Sequence, residues 1–376
     1  MVSDVTGWMP GGVPAETRHL LEGLAARGHA VAYAGDVPLA GNEVAHYPID
    51  VPTHAGLGGQ LVATLDAVRP DLVHVMAMGS RGLAHIAPVL RRWPWICTCH
   101  SVPPHERKVP LFHGHEGLHY AARSLRFAPN ALAWRWLLGR GVIPHLIVHS
   151  AFVNDVVVRY GAARDRVTVV ALGADPAQVA PSPRLDAGRA PVIVTVAGLA
   201  HTKGQHDAVA ALPAIAEHHP GVRYIMVGEV RDASYADFID RLAQRLRVSE
   251  RVHRMHGLTK AELVSTLQSA DLYVQPSHEE GFCLAFIEAA AIVPRLVGTP
   301  TGAIAAIAQD DPDMRVVPAR APAAMASAAI ELLAGKPAPD AMPRRATRLH
   351  DRFAWSRYLD AHERLYARVA AASSHG

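Results

Sequence analysis

The chain has 376 residues, half of them hydrophobic, and a formal net charge of only +3. That length exceeds what one hydrophobic core usually supports, so two domains are expected, and the near-balanced charge excludes a general attraction to nucleic acid polymers. No cleavable leader and no apolar run long enough to span a bilayer is visible, and Cys97, Cys99 and Cys283 make no disulfide framework, so a cytoplasmic protein is expected.

Strand and helix patterns alternate along the chain. Residues 1–5 read as the tail of a first strand, which is either very short or begins upstream of Met1. The Gly11-Gly12 pair then precedes a helical stretch over Pro14–Arg27; it is either a plain turn or a place where the backbone approaches a ligand closely. Strand-like runs follow at His29–Ala34, Asp71–Met76, Trp95–His100, His145–His149 and Arg166–Val170, which predicts a parallel sheet covered on both faces.

Two segments inside this half carry unusual side chains. In Phe112–His119, His115 and His119 stand one helical turn apart, a spacing a metal could use. We read His113, His115, His119 and Tyr120 instead as part of a pocket or its lid. The acid-free stretch with Arg123, Arg126, Arg135 and Arg140 around Trp134 and Trp136 reads as a domain helix with snorkelling arginines. The same composition leaves peripheral contact with an anionic membrane open.

A polar stretch with Pro and Gly, roughly residues 173–190, breaks the alternation and reads as a linker. Strands restart at Pro191–Ala197, Arg223–Val227, Val252–Met255, Asp271–Gln275, Arg295–Val297 and Met314–Val317. The simplest architecture is α/β, with two Rossmann-like domains whose parallel sheets face one another across a cleft, and with ligands at the carboxyl ends of strands. The expected division is 1–175, 176–350 and a terminal helix over 351–376.

Three loops at predicted strand ends carry the chemistry. Cys97-Thr98-Cys99-His100-Ser101 closes an apolar strand, so His100 is a ligand-facing residue, a satisfied core histidine or part of a Cys-x-Cys-His zinc site; the last lacks a complementary Cys pair. Lys203, in Val196–Gly204, stands just before a helix, either as a surface lysine or as a point charge for a phosphate. In Pro276–Glu288, Glu280 and Glu288 straddle a strand–loop–helix corner. The N–H groups near Phe282 and Cys283 would seat a phosphate or a sugar hydroxyl. Glu280 would stand at the mouth of that seat and Glu288 deeper, where its acceptor oxygens suit a ribose diol; the plain alternative is two ordinary acids.

The last of these segments resembles the Glu-x7-Glu motif of retaining glycosyltransferase family 4, whose usual form is P-S-x-x-E-G-F-G-L-x-x-x-E-A; Cys283 replaces the usual Gly. Ile147–Ser150, Leu172–Asp175, Gly298–Gly302 and Phe353–Trp355 with Leu365-Tyr366 extend the resemblance almost end to end. It implies a GT-B fold with an N-terminal acceptor domain, a C-terminal donor domain and a closing helix that crosses back to the first.

The resemblance further implies retaining transfer of a sugar from a UDP- or GDP-type donor to an acceptor, with His113, His115, His119 and Tyr120 in the acceptor pocket or its lid. The lack of a membrane anchor, the small chain and the Ala/Arg-rich composition point to a small polar acceptor in specialised-metabolite or small-thiol biosynthesis, with lipid and polysaccharide acceptors as alternatives. It assigns catalysis to His100, Glu280 and Lys203, with donor contacts from Gly11, Gly12, Gly198, Lys203, Gly281, Phe282, Cys283, Leu284 and Glu288. The family pattern G-R-x-x-x-x-K-G has Gly198 where Arg is usual, so another arginine must substitute or the donor is held more weakly. No Asp-x-Asp motif stands out at a strand end, so neither metal nor cofactor is expected, and helix N-termini and Lys203 would neutralise the donor. A sugar phosphorylase, a nucleotide-sugar epimerase or a non-catalytic sugar-nucleotide-binding protein are the alternatives.

Overall fold

The computed structural model describes residues 1–3, 12–36, 38, 44–49, 57–100, 129–174, 189–337 and 340–373. Gly11, His113, His115, His119, Tyr120, Arg123 and Arg126 lie outside the described residues. Contacts divide the chain into two units, Met1–Gly173 with Trp355–Gly376, and Ala174–Ala354.

In the first unit, β1 (Val2–Ser3), β2 (Ala32–Gly35), β3 (Ala45–Pro48), β4 (Val73–Ala77), β5 (Trp95–Cys99), β6 (Leu146–Val148) and β7 (Val167–Val169) form one parallel sheet. Its order is β3-β2-β1-β4-β5-β6-β7. The strand patterns locate β2 and β4 to β7, but not β3. Ala45-His46-Tyr47-Pro48 has little β-branched character, and its Pro is tolerated because β3 is an edge strand. The helix Gly12–Ala26 follows β1 and buries Leu20, Leu21 and Leu24 along one stripe. The helix Ala151–Arg159 starts at Ser150, whose Oγ accepts the Val153 N–H at 3.3 Å. The closing helix Trp355–Ser373 belongs to this unit: Trp355 stacks on His19 with ring centroids 4.2 Å apart, and Arg27 pairs with Asp360 at 2.7 Å.

In the second unit, β8 (Val192–Val196), β9 (Arg223–Val227), β10 (Val252–Met255), β11 (Leu272–Gln275), β12 (Leu296–Gly298) and β13 (Met314–Val316) are also all parallel. The order β10-β9-β8-β11-β12-β13 is the doubly wound arrangement. Central strands such as Val192-Ile193-Val194-Thr195-Val196 are continuous β-branched runs because helices cover both faces. The helix Lys260–Ser269 opens with a complete capping box between Thr259 and Glu262. Among the described residues no helix is long and apolar enough to cross a membrane.

Candidate functional site

The strand order of the second unit reverses between β8 and β11, and an open α/β sheet offers its ligand crevice beyond the carboxyl ends of such a pair. The loops that leave these two strands carry Lys203 and Glu280. They hold each other closely. Thr202 O accepts the N–H groups of His278 at 2.8 Å and Glu279 at 3.2 Å, and Lys203 Nζ donates to Glu280 Oε2 at 2.8 Å. Gly204 is left-handed at φ 64°, and a Cβ there would collide with the Pro276 carbonyl, so the close approach of the loops requires glycine.

Glu280 is nearly buried, and its second oxygen is also occupied. Oε1 accepts from Ser277 Oγ at 2.7 Å and from Gln275 Nε2 at 3.3 Å, while Tyr273 donates to Gln275 Oε1 at 2.5 Å. Burial works against the Lys203 ammonium, but the Glu280 carboxylate outweighs it and holds the lysine above its ordinary pKa. Behind this row, His278 Nε2 donates to Asp207 Oδ2 at 2.7 Å, and Asp207 Oδ2 also accepts the Arg320 N–H at 3.2 Å. Burial raises the Asp207 carboxyl, yet the His278 bond and the nearby imidazoles bring it below the usual range.

Two expectations for this corner need correction. The helix begins at Leu284, with Cys283 as its N-cap at φ 81°, so Phe282 and Cys283 precede the first turn. The loop holds Cys283 in a left-handed conformation that its side chain strains and that would be effortless for glycine. Burial pushes its thiol pKa well up and Glu280 adds to that. The depths of the two acids are also reversed: Glu280 is the enclosed one, whereas Glu288 is exposed, on a helix whose other side chains from Phe286 to Ile292 are buried. Surrounding protein still raises the Glu288 carboxyl by desolvation, with Lys260 opposing.

In the first unit, His100 immediately follows β5. Nε2 donates to Met76 O at 2.6 Å, and Nδ1 faces Glu16 Oε2 at 3.3 Å, so both ring nitrogens are engaged within the unit. Glu16 is the centre of a buried polar cluster. Its Oε1 accepts the Tyr358 hydroxyl at 2.5 Å and lies 3.1 Å from His149 Nε2, whose Nδ1 donates to Val170 O at 2.9 Å. Burial alone would raise the Glu16 carboxyl, but His149 and His100 draw it down to about 2, and Glu16 in turn raises His149 against its own burial. Beyond it, His74 shares hydrogen bonds with Thr98 and Tyr366, both at 2.7 Å.

Sequence reasoning did not single out Glu16, His149, Asp207 or His278. A signal for Glu16 existed, since it stands four residues before Leu20 and eight before Leu24, on the stripe that the helix buries. Glu16 with His100 and His149, and Asp207 with His206 and His278, have the composition of metal sites, with donor atoms within 4.8 Å of one another. In both groups the same atoms already bond or pair with one another. Gly12 opens the first helix with open space around it. On the helix over 129–139, Trp134 is buried while Leu132 and Trp136, one turn apart, are exposed.

Two family descriptions match successive parts of the chain: Glycosyltransferase Family 4 over residues 10–178 and Glycosyl transferases group 1 over residues 182–349. The chain belongs to glycosyltransferase family 4. Glycogen synthase of Mycobacterium tuberculosis is 29% identical over 255 residues, covering 66% of this chain and 57% of the relative. D-inositol 3-phosphate glycosyltransferase of Segniliparus rotundus is 29% identical over 209 residues, covering 54% and 46%. The chain thus spans about half the length of these family relatives. Among solved structures, sucrose-phosphate synthase of Thermosynechococcus elongatus superposes with a TM-score of 0.74 at 18% identity, covering 99% of each chain. Anabaena HepE, solved with UDP and glucose, gives 0.73 at 17%, covering 98% of each. The fold of this chain is GT-B.

Proposed function

We propose that the protein is a retaining hexosyltransferase that moves a sugar from a nucleotide diphosphate donor, UDP before GDP, to a small polar acceptor. The observation that carries this reading is the Lys203–Glu280 pair at the strand-order reversal of the second sheet. Glu280 presents a held carboxylate to the transferred sugar. Glu288, exposed about one turn into the helix Leu284–Ile292, suits the ribose diol, whose two hydroxyls both donate to a carboxylate. Lys203 and the first turn of the helix Leu284–Ile292 face the negative charge that grows as the nucleotide leaves. UDP is preferred because HepE was solved with UDP and with UDP-glucose.

In this reading His100 serves at the sugar by fixing the carboxyl end of β5, since both its ring nitrogens are already engaged. Metal independence and a cytoplasmic site belong to the same proposal; the buried thiols of Cys97, Cys99 and Cys283 accord with a reducing compartment. Small-thiol or specialised-metabolite acceptors remain the favoured class. A thermal-shift panel of UDP-, GDP- and ADP-sugars, followed by NMR of the product's anomeric centre, tests the reading. A UDP-sugar should raise the midpoint and yield a retained linkage. Inversion would reject the stereochemistry, and binding without turnover on any acceptor would favour a sugar-nucleotide sensor.

A further inference from the structure

Lys203 is a poor sole counter-charge for a diphosphate, because its ammonium is already paired with Glu280 and the two together contribute almost no net charge. The loop after β9 brings a second cation to the same end of the sheet. Leu199 and Val230 form a parallel bridge, the Leu199 N–H donates to Glu229 O at 2.9 Å, and the Arg231 N–H donates to Leu199 O at 3.2 Å. Residues 229–231 therefore run alongside the segment that holds Gly198.

The Arg231 side chain lies over that glycine. A Cβ added to Gly198 would stand 2.9 Å from Arg231 Cγ and 3.4 Å from its Nε, so a larger residue at 198 and the observed Arg231 side chain compete for one volume. The acids beside Arg231 are committed elsewhere. Glu229 Oε1 accepts the Gly257 N–H at 3.1 Å, and Asp232 caps the next helix by accepting from Tyr235 N–H at 3.3 Å and Ser234 Oγ at 2.6 Å. Arg231 is exposed and, among the described residues, makes no ion pair.

We infer that Arg231 grips the donor diphosphate, its guanidinium occupying the place that a side chain at position 198 would fill. The inference rests on the nucleotide-sugar reading above. A planar fork of N–H donors on a free charge adds what the paired lysine cannot, two parallel bonds to phosphate oxygens. It also accounts for glycine at 198: the residue that leaves room and the residue that uses the room are two halves of one arrangement.

Calorimetric titration with inorganic pyrophosphate, UDP and uridine tests it on the wild type, Arg231→Ala, and Arg231→Ala combined with Gly198→Arg. Circular dichroism confirms that each is folded. Arg231→Ala should bind both UDP and pyrophosphate about tenfold more weakly, with uridine unaffected. The double variant should recover to within about threefold of wild type, because its new arginine enters the vacated volume. Unchanged UDP and pyrophosphate binding in Arg231→Ala, or an equal loss for uridine, overturns the assignment and leaves the donor reading intact. A double variant that recovers nothing overturns the shared-volume argument. Wild-type protein that binds pyrophosphate but not UDP sinks the donor reading, while Arg231 is then judged on pyrophosphate alone; binding of neither rejects both.

Discussion

Glu280 and Glu288 differ most in what already occupies their oxygens. Glu280 accepts from Ser277, Gln275 and Lys203, so its removal unlocks the loop and releases a lysine charge. Glu280→Ala should therefore lower single-turnover rates about 100-fold while UDP affinity holds or rises. Glu288→Ala should weaken UDP binding about tenfold with a smaller effect on turnover once the donor is bound. Equal losses of UDP affinity in the two variants would refute these roles. Glu16 makes a different prediction, about pH. Its carboxyl falls from an ordinary 4.5 to about 2 in the folded chain, so its contribution is present above 4.5 and drains away as pH falls towards 2. His149 is raised above 6.5, so its contribution is present below 6.5 and is lost as pH rises through the folded value. Glu16→Gln should cost about 3 kcal/mol near pH 6 and less at both pH 3 and pH 9. Urea unfolding at the three values checks this, and a cost independent of pH would remove the charge pair from the account.

At the level of elements, the contact between the two loops of the second unit is the sensitive joint. Gly204→Ala meets both a left-handed backbone and the Pro276 carbonyl, and should destabilise by about 2 kcal/mol while loosening the Lys203–Glu280 pair. A thermal melt and UDP titration of the variant test it; unchanged affinity would mean that the loops hold their places without this approach. The strands were legible because β-branched runs end at Gly and Pro, and β9 and β10 coincide with their sequence patterns. β3 was not, since an edge strand needs no such run, and its partner Ala32–Gly35 supplies the ladder. Glu280 and Lys203 were legible from motif wording. Their mutual bond was not, because it joins residues 77 apart, and neither was Arg231, whose position over Gly198 depends on the β8–β9 pairing.

For the molecule as a whole, the reading requires no metal. Turnover of a UDP-sugar should survive prolonged treatment with EDTA, whereas complete loss restored by one divalent ion would redirect attention to the Glu16 and Asp207 clusters. The wider consequence lies in how the chain is divided. The first unit takes up Trp355–Gly376 after the whole second unit has intervened, and the buried Glu16 receives its hydroxyl from Tyr358, 342 residues downstream. On a ribosome, which releases the chain from its beginning, the unit started first is the one completed last. Until the final helix emerges, a carboxylate meant for the interior has only its histidines for company, while the second unit has every residue it needs. Loss of Trp355–Gly376 would thus strike the first unit, leaving the second folded and the first exposed to aggregation and proteolysis.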